Sequence, residues 1–144
     1  MAKLSASSRT GITSSSTAIG KGDYEHAFAD ADEAIRLDPN RALAYDLRGF
    51  LHEQQGDFER AITDLNEVIR FAPELAVAYA NRGDAFRQME YVDRAITELN
   101  KALLLDPNMM PAYTNRGLAF EKRGDVSRAR ADFAAAWRTR LATS

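Results

Sequence analysis

From Gly22 onward, apolar side chains recur at three- and four-residue steps, as in Ala61-Ile62, Leu65 and Val68-Ile69. That spacing lays a single apolar stripe along a helix of 3.6 residues per turn, whereas a half-buried strand would alternate at every second residue. No segment does so. Gly-Asp and Asp-Pro-Asn steps interrupt the stripes, so the pattern predicts short amphipathic helices joined by tight turns. Residues 1–20, MAKLSASSRTGITSSSTAIG, are rich in Ser and Thr, carry no such stripe, and read as a flexible leader.

The stripes repeat. AYDLRGFLH at Ala44, AYANRGDAF at Ala78 and AYTNRGLAF at Ala112 are each 34 residues apart. At that offset Tyr45, Tyr79 and Tyr113 align, as do Arg48, Arg82 and Arg116, and Gly49, Gly83 and Gly117. Ala27, Ala61, Ala95 and Ala129 form a further column, and Pro39, Pro73 and Pro107 another. Each unit holds a first helix starting near Ala42, Ala76 or Met110 and a second starting near Asp57, Val92 or Asp125. A lone second-type helix, Gly22 to Asn40, precedes them, which makes seven, with room for an eighth in the leader.

Each column has a physical reason. Glycine in the first helix removes a Cβ where the second helix must come close, and the alanine column is the small partner expected at that crossing. Gly22-Asp23, Gly56-Asp57 and Gly124-Asp125 pair a left-handed turn residue with an N-cap carboxylate. The prolines push the residue before them out of helical geometry and end each second helix, after which Asn40 and Asn108 can cap the next. In the middle unit Glu90-Tyr91 replaces Gly-Asp, so a turn of different geometry is expected there.

These columns resemble tetratricopeptide repeats, whose 34-residue helix-turn-helix units carry aromatic, Gly, Ala and Pro positions at set offsets. The resemblance implies an all-α fold, a right-handed superhelical α-solenoid of about three and a half repeats. The array would span residues 21–141, with a half repeat at 22–40 and full repeats at 42–75, 76–109 and 110–140. Arginine stands where the family usually has leucine before the glycine. A long cation in a normally buried column must take its head to water or to a carboxylate, and the column Asp64, Glu98 and Asp132 is the candidate. The same carboxylates also lie four residues after Arg60, Arg94 and Arg128, which reads as solvated pairs on a helix face.

At the ends, the columns Phe28, Ile62, Ile96 and Leu37, Phe71, Leu105 turn polar in the last copy, at Arg130 and Thr139, leaving Trp137 to cover the final face. Thr139 is thereby expected near a true terminus. The first helix presents Ala27, Ala31 and Ala34 where a preceding helix would pack. A natural blunt end and a seat for another helix both fit.

Composition narrows the function. The chain has 144 residues, 45% of them apolar, and its 19 basic and 21 acidic side chains, mixed along the sequence, leave a net charge of −2. No one-sign field is available to attract nucleic acid or anionic lipid, so a protein or peptide partner is expected. With no cysteine there is neither a disulfide framework nor thiolate chemistry, which suits the cytoplasm and leaves the periplasm open. No run of about 18 apolar residues reads as a membrane span. Of the two histidines, His52 shares a column with Phe86 and Phe120 and reads as a packed ring, and His26 sits in a surface column. Neither has metal-ligand spacing, and no phosphate loop or nucleophile motif occurs, so neither an enzyme nor a cofactor is expected.

The family resemblance implies a concave wall lined by the first helices, suited to a peptide. The residues it places there are Leu43, Asp46, Leu47 and Phe50, then Val77, Ala80, Asn81, Asp84 and Gln88, then Thr114, Asn115, Leu118 and Lys122. Asn81 and Asn115 can donate to a peptide carbonyl and accept from a peptide N–H, while Leu47, Phe50 and Leu118 favour an apolar anchor. The two-carboxylate clamp of the family's chaperone-tail binders is not expected, because Asp46 and Phe50 stand where basic and amide residues would be needed. The alternative is a structural module, a homodimer formed through the Ala-rich N-terminal helix or the convex face.

Overall fold

A computed structural model describes residues 20–143. Its described residues form seven helices and no strand: α1 (Lys21–Leu37), α2 (Ala42–Gln54), α3 (Phe58–Phe71), α4 (Ala76–Gln88), α5 (Val92–Leu105), α6 (Met110–Arg123) and α7 (Val126–Thr143). Each helix packs on its neighbours in sequence, and α4 also touches α6. The result is an all-α repeat solenoid. An eighth helix in the leader would lie outside the described residues.

Packing follows the stripes. Val68 and Leu99 are the largest side chains fully removed from solvent, each worth about 1.5–3 kcal/mol of hydrophobic burial. Ala80, Leu99, Ala102, Leu103 and Ala112 form one cluster, with Tyr79, Met109 and Tyr113 against it. Ile96, Ala119, Phe120 and Ala129 form the next, flanked by Val92 and Phe133. At Gly83 an added Cβ would lie 2.8 Å from Leu99 Cγ, and at Gly117 it would lie 2.6 Å from Phe133 Cε1. The alanine column is buried at the crossing, but the side chain that fills the glycine's space comes one turn later.

The arginine column is the joint of the fold. Arg48 donates from Nε and Nη2 to the two oxygens of Asp64 at 2.9 and 2.8 Å, and Arg116 grips Asp132 in the same way at 2.9 and 2.7 Å. Arg82 sends both groups to one oxygen of Glu98, at 2.9 and 2.7 Å, where the longer side chain offers an edge rather than a fork. The remaining Nη1 reaches back to the preceding second helix, to Asp32, Asn66 and Asn100. One guanidinium therefore ties its own pair together and ties that pair to the one before. Asp64 and Asp132 are only 2% and 4% exposed, so their charges depend on these partners. The tyrosine three residues earlier donates its hydroxyl to the carbonyl of the proline column, Tyr45 to Pro39, Tyr79 to Pro73 and Tyr113 to Pro107, at 2.8–3.0 Å.

Several local expectations change. The carboxylates do not pair with the arginines four residues before them, because they point inward; Arg60 and Arg128 turn instead to Asp57 and Asp125 at 3.5 Å. The middle turn matches its relatives: Glu90 adopts φ 69°, beside 79° at Gly56 and 90° at Gly124. The closing bond is also the same, since Asp57, Tyr91 and Asp125 each donate from the backbone to the carbonyl of residue 52, 86 or 120 at 2.9 Å. Packing of the flanking helices imposes the left-handed residue whatever its side chain. Only the cap is lost, since Asp57 and Asp125 accept from Arg60 N and Arg128 N while Tyr91 caps nothing.

Gly22-Asp23 lies inside α1, whose N-cap is Gly20. Asn40 and Asn108 cap no helix either. Their backbone N–H groups donate to Asp38 and Asp106, so the aspartates before the prolines shape those turns, and Arg41 and Met109 occupy the N-cap positions. Trp137 does not cover an end face: it is 58% exposed, with the Arg140 guanidinium 5.7 Å from its ring. In α1, Ala31 is fully buried and Ala27 and Ala34 are half-buried.

Candidate functional site

Positions 43, 46, 50 and 53 of α2 fall on one helical stripe, as do 77, 80, 84 and 87 of α4 and 114, 118 and 121 of α6. On α2 the stripe is open, with Leu43 66% and Phe50 50% exposed, and Leu47 and Val77 also largely exposed. Ala80 departs from expectation. It is buried in the cluster with Leu99 and offers nothing to a ligand. Thr114 turns its hydroxyl to the Met110 carbonyl at 3.3 Å, Asp84 accepts from Arg87 at 2.7 Å, and Lys122 pairs with Glu90 at 3.1 Å. Gln88 is exposed and Leu118 half-buried. Asn81 and Asn115 are half-buried, 34 residues apart, and no group among the described residues bonds to either carboxamide.

Two hollows open along these helices. Between α4 and α6 lies a cleft of about 450 Å³ lined by Arg87, Glu90, Leu118, Glu121 and Lys122, in which the Arg87 Nε is buried without an acceptor. A smaller hollow of about 200 Å³ lies where α2 and α4 begin, lined by Ala42, Leu43, Asp46, Val68 and Leu75. The column Glu53, Arg87 and Glu121 was missed in sequence. Extending the stripe one turn beyond Phe50, Asp84 and Leu118 would have found it. Burial, with the Asp84 carboxylate alongside, pushes the Glu53 carboxyl up to about 7. Desolvation raises Asp46 as well.

His52 packs its ring 4.8 Å from Phe28, with Nε2 3.8 Å from Asp64, and so takes the aromatic place in its column. Among the described residues no group of three or more His, Cys, Asp or Glu side chains could hold a metal ion. No helix among them is long and apolar enough to cross a membrane.

Helix pairs stapled in register, with the first helix of each pair leaving side chains open along one side, define a solenoid of helix-turn-helix repeats. The chain belongs to the tetratricopeptide repeat family. Family models described as "Tetratricopeptide repeat" and "TPR repeat" match residues 16–82 and 83–124. Solved structures agree. A crystal structure of MamA is 26% identical over 85% of this chain and 71% of that one, with a TM-score of 0.77. MamA from Desulfovibrio magneticus RS-1 is 26% identical over 84% and 68%, with a TM-score of 0.76. The TPR2B domain of yeast Sti1, solved in a complex with pHsp70, is 30% identical over 68% and 78%, with a TM-score of 0.66. No curated protein matches the sequence significantly.

Proposed function

We propose that this chain is a non-catalytic protein-interaction scaffold whose wall of α2, α4 and α6 grips an extended peptide segment of a partner. The observation that carries this reading is the pair Asn81 and Asn115: carboxamides one repeat apart, half-buried, and bonded to nothing among the described residues. Neither carboxamide is sealed from water, and a peptide backbone offers a donor and an acceptor that each can bond. The exposed Leu43, Leu47, Phe50 and Val77 supply apolar contact beside them. The Sti1 relative, solved with pHsp70, shows that a similar array can be captured in a complex with a protein ligand.

The test starts from a displayed library of linear peptides, selected on the full chain. Affinity for the selected peptides should fall at least about tenfold in the double variant Asn81→Ala, Asn115→Ala, the size expected when hydrogen bonds are lost from a desolvated site. The unfolding midpoint should not change. Unaltered affinity would defeat the reading. Self-association draws its support from exposed apolar residues elsewhere, Leu104, Trp137 and Leu141. Sedimentation separates the two, since a monomer at all concentrations removes the self-association reading.

A further inference from the structure

The hollow at the start of α2 and α4 combines features that a passive surface dent lacks. Leu43, Val68 and Leu75 give it an apolar lining, and among the described residues the one ionisable side chain on its wall is Asp46. That carboxylate is half-buried and accepts no hydrogen bond from any of the described residues. Asp64 and Asp132, more deeply buried, are each held by a guanidinium fork. Asp46 has no such cation among the described residues. Burial alone raises its pKa, with no neighbouring group contributing, so the charged form waits for a partner.

Further along, Asp84 is paired with Arg87, and Glu53, its pKa raised to about 7, carries part of a negative charge at neutral pH. Toward α6, Lys122 pairs with Glu90, and Glu121 lines the same cleft. The end exposing most apolar surface, at Leu43, Leu47 and Phe50, thus carries Asp46 with no cation against it among the described residues. Complementarity asks for a ligand group with an apolar body and a cationic end.

We propose that this hollow takes a lysine or arginine side chain of the bound segment, its methylene stem against Leu43, Val68 and Leu75 and its cationic head on the Asp46 carboxylate. The basic residue sits beside the apolar residue that meets Phe50, so the preferred segment is apolar and basic together. The subsite rests on the peptide-groove reading only for the source of the cation. Its chemistry can be tested without a partner.

The experiment is an amide NMR titration of the full chain with n-butylguanidinium, with n-butanol and plain guanidinium as stem-only and head-only arms, at constant ionic strength. Butylguanidinium should shift the amides of Leu43, Asp46 and Leu75 saturably, with an affinity about tenfold above either control arm. Asp46→Asn should remove that advantage while leaving the rest of the spectrum in place, and Glu74→Gln, an exposed carboxylate beside Leu75, should not. Equal shifts from butanol, or an undiminished response in Asp46→Asn, would overturn the proposal. Peptides selected on the whole wall provide the second arm: replacing their basic residue by norleucine should cost about tenfold in wild type and nothing in Asp46→Asn. A hollow that takes butylguanidinium while peptides ignore Asn81 and Asn115 would retire the groove reading and leave this one standing.

Discussion

The arginine joint and the open wall lie on the same three helices, yet they behave oppositely from unit to unit. Arg48, Arg82 and Arg116 make the same pair of connections three times, to their own second helix and to the preceding one. The wall varies, as where Phe50, Asp84 and Leu118 occupy one repeat position. A stacked array must repeat whatever holds neighbours together, because every interface is the same interface. Nothing requires the wall to repeat, since each of its positions meets a different stretch of ligand.

The contrast can be broken first at the joint. Arg48→Met strands the buried Asp64 charge and should cost about 3 kcal/mol in urea unfolding, whereas adding Asp64→Leu should recover most of that loss. The equivalent Arg82→Met should cost less, because the Glu98 side chain is 16% exposed against 3% for Asp64 and can turn toward water. Next in size is the crossing. Gly83→Ala should cost roughly 1–3 kcal/mol by driving a Cβ into Leu99. A wall substitution such as Leu47→Ala should leave the midpoint nearly unmoved.

The wall itself should respond to pH. Glu53 has its pKa raised to about 7 in the folded chain, from an ordinary value of 4.5. Between those values the folded chain keeps a proton that the unfolded chain has released, so stability falls as pH rises through this window. Glu53→Gln should abolish a decline on the order of 1 kcal/mol, the amount left after solvent screening at a half-exposed group. A pH profile unchanged in the variant would show that the carboxyl pair does not share a proton. The smallest effect belongs to the middle turn. Glu90→Gly relieves a left-handed residue and should stabilise by up to about 1 kcal/mol, with little offset from the exposed ion pair to Lys122.

The same asymmetry governs what could be read from the residues alone. Helix number, order and crossing points were legible because Tyr, Arg, Gly, Ala and Pro recur at one spacing, and the Arg-to-carboxylate joint followed from a cation placed in a buried column. The reach of Nη1 to Asp32, Asn66 and Asn100 was not legible, since it joins neighbouring units rather than the two helices of one. Glu90 misled because turn chemistry favours glycine there, yet the packing of α4 and α5 sets the backbone first. The wall was legible only as a stripe. Glu53 and Arg87 share a column with no common identity, and whether a position such as Ala80 faces ligand or core depends on a neighbouring helix that periodicity along one helix does not describe.

The most direct measurement maps a library-selected peptide onto the full chain by amide NMR. The largest shifts should fall on α2, α4 and α6, around Asp46, Asn81 and Asn115, while the arginine joints and the outward faces of α3, α5 and α7 remain still. Shifts centred on the outward faces, or on Trp137 and Leu141 at the end of α7, would contradict the division of this molecule into a repeated joint and a ligand-bearing wall.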